Sequence, residues 1–215
     1  MYMIKNYIFD FDGTLMDTAP VILATMRATF EELGLPERTE EECRATIGLR
    51  LEEIPKALFP ERSDIGSIYA ETYRRLFPLY NKPGVARPFP NVIETIKKLH
   101  ADGHGLAIAS SRSHKSLEEF VQGMGLEEAF QILIAGDDVQ HGKPSPEPVL
   151  TILEKMNWKA EETLVIGDAA VDILMGKAAS CQTCAVTYGN GTLTELESAA
   201  PDFLIDNLTE LLKIQ

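Results

Sequence analysis

Short apolar segments alternate with amphipathic helical patterns along most of this chain, and this alternation constrains the fold more than any other feature. A short apolar run bounded by turn residues is typical of a buried strand. Strands that are separated by helices are expected to form a mostly parallel sheet with helices on both faces. We therefore predict a Rossmann-like α/β fold. The predicted strands cover residues 7–11, 105–110, 130–136, 163–168 and 184–189, with a further strand at 202–206.

Helical periodicity fills the gaps between these strands. In residues 90–102, for example, Val92, Ile96 and Leu99 share one face, and Gly103 is a stop signal. Near the C-terminus, Asn207 and Glu210 have the spacing of a capping box. Further helices are predicted over residues 114–124, 146–157 and 169–179.

Residues 18–86 interrupt this rhythm, because they contain several helix-like pieces and no clear strand. We predict an inserted all-helical cap domain at 17–86, and a core domain formed by 1–16 together with 87–215. Ligands bind at the carboxyl edge of open α/β sheets, so an insertion after the first strand would lie over the site as a lid.

The charge balance limits the class of partner. Lys and Arg total 20 against 33 Asp and Glu, which gives a net charge of −13. Nucleic acids and anionic membranes require a basic face, so neither is an expected partner. A small anionic substrate is compatible with this charge, since a bound divalent cation and local lysines reverse the sign inside a pocket.

No apolar stretch approaches the roughly 20 residues that span a bilayer, and the first residues lack the pattern of a signal peptide. The expected location is the cytoplasm.

Three cysteines give no disulfide framework, and we interpret Cys181 and Cys184 as small apolar residues rather than a redox or metal pair. We expect a monomer or a weak dimer.

Two aspartates, Asp10 and Asp12, follow the apolar start of the first predicted strand. Residues two apart in a strand point the same way, so both carboxylates are expected on one side at the strand end. Gly13 then permits a sharp turn. Neighbouring carboxylates repel unless a cation joins them, and this donor set suits Mg²⁺. The alternative is that the aspartates only cap a turn.

The segment LVIGDAAVD repeats this device at 164–172. Asp168 stands at a strand end, and Asp172 follows one helical turn later on the same face. A parallel sheet can bring this strand end beside the first one. The alternative role of Asp168 is that of an N-cap.

Two further polar groups occupy the connections between strands and helices. Ser110 and the backbone N–H groups after it can cradle an anion where a helix starts, although Ser110, Ser111 or Ser113 can also act as plain N-caps. Lys143 lies in the stiff segment GKPSPE and offers a positive charge for a phosphoryl oxygen, or is a solvated loop lysine.

Taken together, the motifs DFDGTLMDT, AIASSR, GKPSPEP and IGDAAVD resemble those of the haloacid dehalogenase-like superfamily of phosphohydrolases, in the order that the superfamily has. The likeness spans residues 8–172 and is greatest to the phosphoglycolate phosphatase and β-phosphoglucomutase group. It implies an α/β core with a helical cap and a Mg²⁺-dependent phosphatase that acts on a small phosphorylated metabolite.

The resemblance also assigns roles to individual residues. Asp10 matches the nucleophile that forms an aspartyl-phosphate, and Asp12 matches the general acid/base. The expected metal ligands are Asp10, Asp12 through its backbone carbonyl, and Asp168. Asp172 and Thr14 are assigned supporting roles, and the expected phosphate-binding residues are Ser110, Ser111, Lys143 and Gly13.

Asp12 favours phosphoryl transfer over dehalogenation, since the dehalogenases of the superfamily lack an acid at this position. A β-phosphoglucomutase and an inorganic pyrophosphatase are the alternatives. The stretch after Asp17-Thr18 has no histidine of the kind found in the mutases, which favours a phosphatase.

Arg50 lies in the cap segment TIGLRLEEI, which resembles the loop that faces the site in this group. It is predicted either to bind a substrate carboxylate or second phosphate, or to pair with Glu53 or Glu52 on the surface.

Asp17 is interpreted as a hinge or capping residue. His104, His114 and His141 have no predicted role.

Overall fold

The computed structural model describes residues 3–214 and shows an α/β architecture. Each strand is short and mostly apolar, as expected for strands covered on both faces. The strands are β1 (Asn6–Phe9), β2 (Met16–Asp17), β3 (Arg87–Pro88), β4 (Gly105–Ala109), β5 (Ile132–Ile134), β6 (Thr163–Gly167), β7 (Gln182–Val186) and β8 (Phe203–Ile205).

Six of these strands form the central sheet, in the order β5-β4-β1-β6-β7-β8. Every neighbouring pair in this sheet is parallel. β1 lies between β4 and β6, with Ile8 in register with Ala107 on one side and Val165 on the other. The prediction of a mostly parallel sheet is confirmed, and the register brings the carboxyl ends of β1, β4 and β6 together.

Helices connect the strands. The α-helices are α1 (Ala19–Glu32), α2 (Glu40–Arg44), α3 (Ile54–Leu58), α4 (Gly66–Tyr80), α5 (Val92–Ala101), α6 (His114–Gly123), α7 (Glu147–Met156), α8 (Ala170–Ala178) and α9 (Leu193–Ala199), and 3₁₀ helices cover Pro60–Ile65, Ala160–Glu162 and Leu208–Lys213.

The sheet separates two apolar layers. Phe9 packs in one layer with Ile96 of α5 and Val121 of α6. The next residue toward the N-terminus, Ile8, packs in the other layer with Ile152 of α7. Alternate side chains of β1 therefore enter opposite cores, so helices cover both faces, as predicted.

Most predicted elements differ from the observed ones at their ends, but the strands β2 and β3 and the helix α9 were not predicted. β1 ends at Phe9, two residues before the predicted end at residue 11. The N–H of Asp10 still donates to the carbonyl of Ile166, at 2.8 Å, but the N–H groups of Leu15 and Met16 then donate back to the carbonyl of Phe11. This turn stops the strand.

The C-terminal segment has the predicted capping box at Asn207, but it forms a 3₁₀ helix.

The inserted helices α1 to α4 have an apolar core of their own, in which Phe30 packs edge-on against Phe59 with ring centroids 5.1 Å apart. The chain enters and leaves this region through β2 and β3, which pair as a two-stranded antiparallel ribbon. The ribbon coincides with the predicted boundaries and supports our proposal that residues 17–86 form a separate cap domain. Asp17 lies in this ribbon, opposite Arg87, and its role as a hinge or capping residue stays a prediction.

Cys181 and Cys184 belong to apolar layers on opposite faces of the sheet. Both are buried and neither forms a disulfide, which agrees with their interpretation as core residues.

Within residues 3–214, no helix has the length and apolar character needed to cross a membrane.

Candidate active site

The site is built at the carboxyl edge of the sheet, directly after the central strands. Asp10 follows β1, Ser110 follows β4 and Asp168 follows β6. Because β1 pairs with both β4 and β6, these three residues emerge side by side. All three are at least 95% buried, with exposed fractions of 4%, 5% and 2%.

Three carboxylates converge at this edge. Oxygen atoms of Asp10, Asp168 and Asp172 lie within 4.8 Å of one another, and all three residues are buried. The ammonium group of Lys143 is buried with them; it donates to Asp10 and forms an ion pair with Asp172 at 2.7 Å. Three carboxylates thus face one ammonium group, and the cluster carries excess negative charge.

Burial dominates the electrostatics of this cluster. Burial raises the pKa of Asp10 well above its usual range, and the adjacent Lys143 opposes this only in part. Burial, reinforced by Asp172, raises the pKa of Asp168 to about 7. Burial alone would lower the pKa of Lys143, but Asp10 and Asp172 raise it above its ordinary value. The lysine is therefore charged, while two carboxyl groups resist ionisation without a further cation.

The cluster fits a divalent cation. Carboxylate oxygens are the donors that hard cations such as Mg²⁺ prefer. Oδ2 of Asp172 accepts from the N–H of Ala169 at 3.1 Å, and its buried Oδ1 lies 2.7 Å from the ammonium group of Lys143. Three buried carboxylates against this one ammonium group leave excess negative charge, which a bound cation would balance.

A turn of the chain holds Asp168 from the other side. The hydroxyl of Thr14 donates to Oδ1 of Asp168 at 3.1 Å, and the backbone N–H of Asn190 donates to Oδ2 at 2.7 Å. Gly13 has a φ of +93°, and a Cβ added there would lie 2.1 Å from Oδ2 of Asp168. Glycine is thus required at position 13 both for the turn and for this close approach.

Asp12 lies outside the carboxylate cluster. Its Oδ1 accepts a hydrogen bond from the hydroxyl of Thr18 at 2.6 Å and another from Nη1 of Arg112 at 2.6 Å. The strand that was expected to place Asp10 and Asp12 on one side ends at Phe9, before either residue. Both residues nevertheless line the same cavity.

The two serines after β4 have different surroundings. The hydroxyl of Ser110 accepts a hydrogen bond from the backbone N–H of Arg112 at 3.2 Å, beside the carboxylate cluster. The hydroxyl of Ser111 instead donates to the carbonyl of Gly48 at 2.6 Å. Ser111 therefore bonds to the cap loop and also lines the cavity with Asp10, whereas Ser110 directly follows β4 and is buried.

Arg50 also joins the two parts of the chain. Its guanidinium group donates to the carbonyl oxygens of Gly136, Val139 and Gln140, each at 2.8 Å. The predicted pairing of its side chain with Glu53 or Glu52 is not observed, since the guanidinium binds backbone carbonyls of the core and Glu52 pairs with Arg74. Arg50 nevertheless lines the cavity over the site.

That cavity has a volume of about 780 Å³ and lies between the cap and the carboxyl edge of the sheet. The core contributes the polar side chains of Asp10, Asp12 and Arg112 to its lining. The cap contributes mainly apolar side chains, among them Met26 and Phe77. A ligand with an anionic end and a less polar end fits this division.

Sequence reasoning missed three residues that contact the site. Arg112 is the last residue of the motif AIASSR, Thr18 follows Asp17, and Asn190 lies in the loop after β7. Their common signal is a polar side chain within a few residues of a strand end, in the central sheet for Arg112 and Asn190 and in the β2–β3 ribbon for Thr18. His104 lies near the carbonyl of Lys5, and His114 and His141 pair with the carboxylates of Asp138 and Glu147 outside the cluster.

Comparison with known proteins identifies the family. The family model described as haloacid dehalogenase-like hydrolase matches residues 7–186. The chain belongs to this family. A solved structure of a haloacid dehalogenase-like hydrolase from Bacteroides fragilis superimposes with a TM-score of 0.91 at 30% sequence identity, over 97% of this chain and 99% of that one.

Two curated relatives are similar over almost their whole length. A phosphoglycolate phosphatase of Vibrio parahaemolyticus is 31% identical, over 98% of this chain and 96% of its own. The pyrophosphatase PpaX of Halalkalibacterium halodurans is 32% identical over the same shares. The predictions of the family and of a hydrolytic enzyme are confirmed.

Proposed function

We propose that this haloacid dehalogenase-like hydrolase is a Mg²⁺-dependent phosphatase that acts on a small organic phosphate monoester by way of an aspartyl-phosphate on Asp10. The observation that carries the proposal is the buried cluster of Asp10, Asp168, Asp172 and Lys143, with Asp10 also lining the cavity. 2-Phosphoglycolate is the first candidate substrate, because curated relatives are named phosphoglycolate phosphatases.

Asp10 and Asp168, both predicted ligands, would hold the ion together with Asp172, for which only a supporting role was predicted. The backbone carbonyl of Asp12 stays a predicted ligand. When bound, Mg²⁺ supplies positive charge that offsets the negative oxygens of the phosphoryl group. Lys143 supplies a second, permanent positive charge from within the same cluster. Phosphate monoesters are anionic and repel a carboxylate, so this charge is required before Asp10 can approach phosphorus.

In the first step, the carboxylate of Asp10 attacks phosphorus, and the bond between phosphorus and the ester oxygen breaks. Asp12, which lines the same cavity, delivers a proton to the departing oxygen. In the second step a water molecule attacks the phosphoryl group on Asp10. Asp12 accepts the proton of this water, and phosphate leaves with Asp10 restored.

Inorganic pyrophosphate is a second candidate substrate, because the relatives named PpaX are pyrophosphatases of 32% identity. The same steps apply to it, with phosphate as the leaving group. The cap lining of the cavity includes Arg50 and Arg74, whose positive charges suit the carboxylate of 2-phosphoglycolate and a second phosphate alike.

A phosphate-release assay over a panel of substrates tests the proposal. The panel contains 2-phosphoglycolate, pyrophosphate, glucose 1-phosphate, glucose 6-phosphate and p-nitrophenyl phosphate, each with Mg²⁺ and with EDTA. We expect release with Mg²⁺, loss of release in EDTA, and recovery when Mg²⁺ is returned. A coupled assay for glucose 6-phosphate formation detects the mutase alternative, which predicts isomerisation without phosphate release.

Asp10→Asn provides the decisive variant, with Asp102→Asn on the surface as a matched control. Acid quenching during turnover, followed by mass spectrometry, is expected to find a phosphorylated peptide containing Asp10 in the wild type and in the control. Undiminished phosphate release by Asp10→Asn would refute the assignment of the nucleophile.

A further inference from the structure

The guanidinium group of Arg112 lies beside the carboxylate of Asp12, and no role was predicted for it. We propose that Arg112 is a positioning residue, which fixes the Asp12 carboxylate for proton transfer to and from the reacting oxygen. This inference rests on the proposed function, in which Asp12 is the general acid/base. It concerns how Asp12 is held and adds no further chemical step.

The contact between the two side chains is short and shielded from water. Nη1 of Arg112 lies 2.6 Å from Oδ1 of Asp12, and the exposed fractions of the two side chains are 9% and 11%. The hydroxyl of Thr18 donates to the same oxygen. Two donors on Oδ1 fix the plane and direction of the carboxylate, and among the described residues Oδ2 receives no such bond. Oδ2 is therefore the oxygen left for the substrate.

Arg112 is itself held on several sides. Its Nε and Nη2 donate to the hydroxyl of Ser116, at 3.2 and 2.9 Å. The central carbon of the guanidinium lies 4.5 Å from the ring centre of Phe120, 5.1 Å from that of Phe77 and 6.0 Å from that of Phe11. These contacts arrange the group before substrate binds, which is what accurate proton transfer requires.

Two other roles for Arg112 explain the contacts less well. A receptor for a substrate anion directs its donors at the ligand, but three of the five N–H groups of this guanidinium already donate to Asp12 or Ser116. A purely structural ion pair is a weak reason to bury an arginine, because desolvation offsets most of the attraction. A role in orienting Asp12 accounts for both the burial and the direction of the group.

Phe77 belongs to helix α4 of the cap, whereas Phe11 and Phe120 belong to the core. The cap thus completes the aromatic enclosure around Arg112. Thr18, the other donor to Asp12, directly precedes α1 of the cap. Both donors to Asp12 therefore depend on where the cap lies, which links cap placement to the position of the acid/base.

The experiment compares leaving groups. p-Nitrophenolate departs without a proton, whereas the ethoxide of ethyl phosphate needs one from the general acid. We expect Arg112→Met to lower kcat/KM for ethyl phosphate by about 30-fold or more, and kcat/KM for p-nitrophenyl phosphate by less than about threefold. The inhibition constant of inorganic phosphate, which has no leaving group, is expected to stay unchanged.

Three further variants complete the design. Arg112→Lys keeps the charge without the planar fork, and we expect it to restore part of the lost activity toward ethyl phosphate. Asp12→Asn sets the size of the full leaving-group effect. Arg75→Met removes a half-exposed arginine of the cap that pairs with Glu32, and it is expected to behave like the wild type. If Arg112→Met does not fold, Ser116→Ala should give the same pattern on a smaller scale.

Equal losses for both substrates would overturn the inference, because a disturbed phosphate site does not distinguish leaving groups. A loss confined to 2-phosphoglycolate, with ethyl phosphate unaffected, would also overturn it and assign Arg112 to the substrate carboxylate. If Asp12→Asn separates the leaving groups and Arg112→Met does not, this inference alone fails. If Asp12→Asn does not separate them either, the proposed mechanism fails with it.

Discussion

Asp168→Asn is predicted to make the metal-free protein more stable while it abolishes catalysis. In the absence of a cation, Asp168 must ionise while it is buried beside Asp172. Asparagine has nearly the same shape and no charge to bury. A gain in stability from the loss of a site residue is the expected result when a functional group is held in unfavourable surroundings.

The magnitude follows from the pKa of Asp168, which burial raises from 3.8 to about 7. Each pKa unit corresponds to about 1.4 kcal/mol, so ionised Asp168 costs the folded state about 4 kcal/mol at pH 8. The amide of an asparagine would turn an N–H group toward Thr14 or Asn190, which donate to Asp168, and this costs about 1–3 kcal/mol. The expected net gain at pH 8 is about 1–3 kcal/mol.

The gain depends on pH in a defined direction. The pKa of Asp168 is higher in the folded state than in the unfolded state. Its contribution to the free energy of unfolding is therefore complete below about pH 4 and is lost as the pH rises through about 7. At pH 5, Asp168 is protonated in the metal-free folded protein and resembles asparagine. The difference between variant and wild type is therefore expected to be small at pH 5 and largest at pH 8.

Urea unfolding in EDTA at pH 5 and pH 8 measures these free energies, with Asp102→Asn as the control for loss of a half-exposed surface carboxylate. Added Mg²⁺ should raise the stability of the wild type at pH 8 and leave Asp168→Asn unchanged. The reasoning is refuted if Asp168→Asn is less stable than the wild type in EDTA at pH 8, or if the difference does not grow between the two pH values.

Three other substitutions have defined outcomes. Gly13→Ala places a Cβ 2.1 Å from Oδ2 of Asp168, so kcat/KM for the best substrate should fall by about 100-fold or more. Arg50→Met removes three hydrogen bonds between the cap loop and residues 136–140, so limited proteolysis should cleave the cap loop faster than in an Arg62→Met control. Phe30→Ala empties a buried position in the cap and should lower the free energy of unfolding by about 3–5 kcal/mol, measured in urea.

Much of the fold was predictable because its signals are local. The alternation of apolar strands and amphipathic helices defines a parallel sheet, and a parallel sheet brings the ends of adjacent strands to one edge. This is why the meeting of Asp10 with Asp168 follows from the sequence. The lysine joins them because the loop before α7 crosses the same edge.

Other features depend on turns and distant contacts that leave little trace in a local pattern. The backbone folds back onto Phe11 directly after β1, and Asp12 is bonded there by Thr18 and Arg112 rather than lying on a continued strand. Arg50 reaches carbonyl groups 86 to 90 residues away in the chain, and backbone acceptors have no residue-specific signature. The surroundings of Arg112 exist only when Phe77 of the cap meets Phe120 of the core.

The ribbon of β2 and β3 has a consequence for how this protein can change over time. Met16 lies opposite Pro88, and Asp17 opposite Arg87, so the insertion leaves and rejoins the core at adjacent positions. The entropy of closing a loop grows only logarithmically with its length, by about 0.6 kcal/mol for each doubling. Residues between the two strands can therefore be lengthened, shortened or exchanged at little cost to the sheet. Selection can then alter substrate choice in one part of the chain while the charged cluster in the other part is preserved.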